Sequence, residues 1–79
     1  MEVHLIEAVR VDEIIFVVEE APEGGYVAQA LGEPIFTEAD DLEALQRALR
    51  DAVVCHFEDP AERPRMIRLH FVRDQLLAV

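Results

Sequence analysis

The chain has 79 residues, 52% of them hydrophobic, and sets seventeen Asp and Glu against seven Arg for a net charge of −10. A domain this short buries only about 60% of the surface its unfolded form exposes; its single cysteine excludes an intrachain disulfide, a metal has no support in the sequence, and oligomerisation is the favoured source of extra stability. The absence of Ser and Lys excludes a serine nucleophile and a Schiff-base lysine, and no apolar run approaches the ~18 residues of a membrane span.

In chain order, residues 3–11 are apolar with charges at Glu7 and Arg10 and a mixed period. They read as an extended lead-in to the first strand, with a loose arm or a strand lent to a neighbouring subunit as alternatives. The acidic start Met1-Glu2 lacks the basic region of a secretory signal, and one unpaired thiol suits a reducing compartment. A cytoplasmic location is expected.

Residues 14–18 (Ile-Ile-Phe-Val-Val) form an unbroken β-branched and aromatic run, the pattern of a strand covered on both faces and therefore central in its sheet. Ala21-Pro22-Glu23-Gly24-Gly25 breaks the run: Pro22 presets a turn φ, and the Gly pair allows the positive φ of a hairpin reversal. The return strand, residues 26–31, puts Tyr26, Ala28 and Ala30 on one face and Val27, Gln29 and Leu31 on the other. Gly32-Glu33-Pro34 makes a second turn before a short third strand, Ile35-Phe36-Thr37. Pro34 cannot donate to a ladder and suits the start of an edge strand.

A helix is expected from Asp41, with Asp40 as N-cap and Glu43 at capping-box spacing; Thr37 with Asp40 is the alternative pair. Leu42, Leu45, Leu49, Ala52, Val53 and Phe57 fall on one helical face, which packs on the sheet. Asp59-Pro60 is expected to end the helix, because a residue before proline is pushed out of the α region. After the loop Ala61-Glu62-Arg63-Pro64, residues 65–71 alternate. Ile67, Leu69 and Phe71 face the core, and Arg68 and His70 face out. A right-handed crossover sets this last strand parallel to the first. The chain is thus read as one α+β domain over residues 1–79, a mixed sheet with one helix on one face.

Glu19-Glu20-x-x-Glu23-Gly24-Gly25-Tyr26-x-Ala28, followed by Ile35-Phe36-Thr37 and the capped helix, resembles the HicB-like antitoxin family over residues 13–57. The resemblance implies a β-β-β-α-β plan, an incomplete ribonuclease-H-like sheet in the order 3-2-1-4. It also implies a protein that neutralises a small basic HicA-like ribonuclease toxin by covering its surface. Ala39 stands where relatives often have Gly, and Asp41 where they often have Thr or Ser. Many relatives carry a C-terminal DNA-binding segment, whereas this sequence stops six residues after Arg73. Direct nucleic-acid binding is not expected.

Residues 1–41 hold eleven acids against one Arg, and the remaining residues balance six acids with six Arg. Such a pole repels nucleic acid and attracts basic partners; keeping an apolar domain soluble is the other reading. Glu19, Glu20, Glu23 and Tyr26 are the candidate partner-binding residues.

Catalytic chemistry is not expected. Cys55 and His56 are adjacent, about 100° apart on a helix, and cannot face each other; Cys55 reads as a small buried apolar residue. His4, His56 and His70 lie on separate elements without metal-ligand spacing. A carboxylate-and-metal nuclease is the enzymatic alternative, but residues 14–18 carry no acid. No cofactor is expected. One helix covers only one face of a four-stranded sheet, so a homo-oligomer (dimer or tetramer) is expected to cover the other. The candidate interface comprises Ile15, Val17, His70 and Val72, with the apolar tail residues Leu76 and Leu77. A self-assembling domain with some other partner is the alternative to an antitoxin.

Overall fold

The computed structural model describes residues 12–79; the reading of residues 3–11 as a lead-in lies outside them. Four strands, β1 (Glu13–Glu20), β2 (Tyr26–Ala30), β3 (Phe36–Ala39) and β4 (Met66–Val72), form one sheet in the order β3-β2-β1-β4. The helix α1 (Leu42–His56) lies against one face. β1 and β2 pair antiparallel, as do β2 and β3, while β4 is parallel to β1. This is the expected α+β plan with its mixed four-stranded sheet.

Alternation sorts β1 into two faces. Ile14, Phe16 and Val18 are buried against Leu45, Leu49 and Val53 of α1, joined by Ala28, Ala30 and Ile35. Each large side chain buried in this way contributes about 1.5–3 kcal/mol. Ile15 and Val17, one residue out of phase, point to the outer face and are half-buried. β1 is central, as its double-sided apolar run predicts.

Local details depart from the expected boundaries. The N-cap of α1 is Asp41, not Asp40: Asp41 Oδ1 accepts from the Ala44 backbone N–H at 2.7 Å. Two consecutive Asp residues leave the sequence ambiguous by one position, and the cap falls on the residue with extended backbone, φ −143° and ψ 172°. The helix also ends at His56, before Asp59-Pro60. There Arg63 donates through Nε and Nη2 to the Phe57 carbonyl (3.1 and 3.0 Å), placing a cation at the negative end of the helix. Asp59 instead caps a 3-10 turn, Pro60–Glu62, accepting from the Ala61 N–H at 3.0 Å.

The third strand is displaced toward the helix: Ile35 is buried just ahead of it, and pairing continues to Ala39. On β4, Ile67 and Leu69 pack against the core as expected. Phe71 shares their face, opposite Val18, yet is 52% exposed, because among the described residues no strand lies beyond β4. Cys55 is exposed rather than buried, since it sits on α1 away from the Leu45, Leu49 and Val53 stripe.

The acidic end of the sheet as a candidate protein-binding surface

Strand order gathers acids that are scattered in sequence. β1 runs out at Glu19 and Glu20, β2 begins opposite them, and β3 finishes beside Tyr26 through the Tyr26–Ala39 pairing. Parallel pairing sets Val72 of β4 opposite Glu19. One end of the sheet therefore carries Glu19, Glu20 and Glu23 from the hairpin, Glu38 and Asp40 from the β3 exit, and Asp74 after β4, all exposed. Asp41 adds a further carboxylate, engaged with the amide of Ala44.

The hairpin is held by its own backbone. Ala21 N–H donates to the Gly25 carbonyl and Gly24 N–H to the Ala21 carbonyl, both at 3.0 Å. Gly25 is the tightest point: its φ is +85°, and a Cβ there would lie 2.7 Å from the Ala39 carbonyl oxygen. Only glycine fits both demands. The close approach brings Glu23 and Tyr26 of the hairpin together with Glu38 and Asp40 around one shallow hollow. A second hollow gathers Glu19, Glu20, Val72, Arg73 and Asp74.

Of the four candidate partner residues, Glu19, Glu20 and Glu23 are exposed on this end, and Tyr26 is half-buried with its ring against the edge of the core. Sequence reasoning did not place Glu38, Asp40 or Asp74 among the partner-binding residues. Their signal was the strand order itself, which brings the end of β3 and the end of β4 alongside the hairpin.

The opposite end of the sheet pairs its charges. Arg68 makes a two-pronged bridge to Glu13, Nε to Oε2 at 2.8 Å and Nη2 to Oε1 at 3.0 Å. Arg65 Nη2 donates to Asp12 Oδ2 at 2.6 Å, while the Arg65 and Met66 amides donate to the Asp12 carbonyl at 3.1 and 2.9 Å. The hydrogen bond from Arg68 holds the Glu13 carboxyl below its ordinary range, aided by the guanidinium charge and opposed by partial desolvation. The same bonds raise Arg65 and Arg68 above the ordinary arginine value.

His56 turns away from Cys55: its Nε2 lies 3.0 Å from Glu33 Oε1, and its ring meets Phe57 edge-on at 4.8 Å. Among the described residues, no group of three or more His, Cys, Asp or Glu is placed to hold a metal ion, and no helix is long and apolar enough to cross a membrane. Of the candidate interface residues, Ile15, Val17 and His70 lie on the outer sheet face. Val72 ends β4 on that same face, and Leu76 and Leu77 follow in an exposed, irregular tail.

No family model matches the chain, and no solved structure does. Two curated relatives match over most of their length. A UPF0150 protein of Archaeoglobus fulgidus is 51% identical over 57 residues, covering 72% of this chain and 83% of the relative. A UPF0150 protein of Thermotoga maritima is 39% identical over 67 residues, covering 85% and 93%. Identity at this level over so much of both chains shows that the chain belongs to the UPF0150 family.

Proposed function

We propose that this chain is a non-catalytic protein-binding module, a HicB-like antitoxin that sequesters a small basic HicA-like ribonuclease. The observation that carries the reading is the acidic end of the sheet, where hairpin, β3 exit and β4 exit supply exposed carboxylates around two hollows. Exposed acids gathered at one end of a sheet suit a cationic protein surface, steering its approach and fixing its register. The Glu-Glu-x-x-Glu-Gly-Gly-Tyr motif supports the same reading through its resemblance to HicB-like proteins.

Binding of a HicA-like ribonuclease tests it by titration at rising salt. Affinity is expected to fall as the Debye length contracts from ~8 Å at 0.15 M to ~3 Å at 1 M. It is also expected to fall when Glu19, Glu20 and Glu23 are changed together to Gln. Salt-independent binding, or binding undiminished in the triple variant, removes the reading.

A self-assembling domain is the second reading, favoured by a separate observation: Leu31, Phe36, Met66, Phe71 and Val72 are all exposed on the sheet or at its margins. Light scattering at micromolar concentration decides it, since a folded 9.0 kDa monomer there excludes self-assembly.

A further inference from the structure

Ten large apolar side chains are exposed among the described residues, and they are not spread evenly. Six of them, Met66, Phe71, Val72, Leu76, Leu77 and Val79, belong to β4 and the tail that follows it. A seventh, Val54, faces the same region across a groove between α1 and the start of β4. That groove is lined by apolar Val53 and Ile67, with exposed Met66 at its edge, and by basic Arg50, Arg63 and Arg65. Beside it runs the outer edge of β4, seven residues long and without a neighbouring strand among the described residues.

We propose that β4 and the tail of residues 73–79 dock a second copy of this chain, the two β4 edges pairing antiparallel about a two-fold axis near Phe71. Antiparallel pairing carries each tail back along the beginning of its partner's strand, where the groove lies. With the axis at Phe71, directly opposed residues share a face. The two Phe71 rings then meet at the axis, Asp74 opposes Arg68, and Leu76 opposes Met66. Leu77 keeps the helix-side parity of Ile67 and Leu69 and reaches the groove. Four exposed apolar side chains on each copy are thereby removed from water, and an open sheet edge is closed.

Charge selects this edge for a second copy. The β3 edge lies in the half of the chain with net charge −10, so two β3 edges repel each other, whereas Arg65 and Arg68 beside the β4 edge are already bonded to Asp12 and Glu13. A self-complementary patch is also what a closed two-fold dimer requires. This inference rests on the self-assembly reading, and it shares Val72 and Asp74 with the second hollow of the acidic end.

Sedimentation of the full-length chain tests it together with isotope-filtered NMR on a mixture of labelled and unlabelled copies. The expected result is a dimer whose filtered spectrum connects the Leu77 methyls to the Val54 and Ile67 methyls of the other copy. Changing Leu76 and Leu77 together to Glu, both exposed at 98% and 78% and so harmless to the monomer fold, raises the dissociation constant at least ~10-fold. Phe36→Glu, on the outer face, leaves it unchanged. A monomer overturns the inference and the self-assembly reading together. A dimer without those contacts, or one dissolved by Phe36→Glu and indifferent to the tail substitutions, overturns this interface alone.

Discussion

The two edges of this sheet solve the same problem in opposite ways. β3 is four residues long, follows a proline, carries Glu38 and is flanked by Glu33, Asp40 and Asp41, so it offers few pairing groups and surrounds them with like charge. β4 is seven residues long, alternates cleanly, and ends in exposed Phe71 and Val72 with an apolar tail behind them. The β3 edge, crowded with like charge, disfavours pairing with a copy of itself; the β4 edge is apolar, and its flanking Arg65 and Arg68 are already paired with Asp12 and Glu13. The difference shows that one small domain can place most of its charge at one edge and most of its exposed apolar surface at the other, about a common core.

Striking that core should damage both edges together. Leu49→Ala removes a buried side chain that also borders Ile67 and Leu69; the expected loss is ~2–5 kcal/mol. Denaturant unfolding should show it, with β3 and β4 amides losing exchange protection in parallel.

Gly25→Ala should separate the edges. The added Cβ meets the Ala39 carbonyl oxygen at 2.7 Å in a backbone of φ +85°, a strain of ~1–3 kcal/mol. Hydrogen exchange should quicken in β3 and the hairpin while β4 keeps its protection.

A smaller effect discriminates the adjacent aspartates at the acidic end. Asp41→Ala is expected to cost ~1 kcal/mol through loss of the cap bond to Ala44, and Asp40→Ala less than ~0.5 kcal/mol. Equal losses in thermal or denaturant unfolding would contradict the cap assignment.

The smallest effect concerns the paired end. Glu13 is held below its ordinary value in the folded chain by Arg68, so the stability it contributes is fully present above the ordinary carboxylate range and is lost as pH falls through the lowered value. Arg68→Gln should remove that part of the acid sensitivity and leave stability near neutral pH only slightly changed. An unaltered acid limb in pH-dependent unfolding would show that the bridge is energetically idle, as exposed ion pairs often are.

Much of this architecture was legible from residues alone. The apolar run at residues 14–18 required a central strand because both parities are apolar, and the Pro-Glu-Gly-Gly turn fixed the hairpin. The alternation of residues 65–71 placed β4, and its parallel sense followed from the crossover. What was hidden depended on distance in space. Asp40 and Asp41 are equivalent until the backbone enters the helix, and Arg63 could end α1 early only by folding back on Phe57. Cys55 looked apolar by type, yet its helical position left it in solvent. The acidic end was half visible, as hairpin glutamates, because Glu38, Asp40 and Asp74 join them only through strand order.

The parallel pairing of β1 with β4 also has a meaning in time. Arg65 and Asp12 are bonded across a separation of 53 residues, whereas β1 and β2 meet across a turn of five. Closing the long loop carries an entropic cost that grows slowly with its length and is met before the contact yields anything, so β4 is expected to join last, on a hairpin and helix already assembled. Until residue 72 leaves the ribosome, β1 stands with one side open. Substitutions at Ile67 should then alter the unfolding rate far more than the folding rate, with the reverse at Val18 and Ala28.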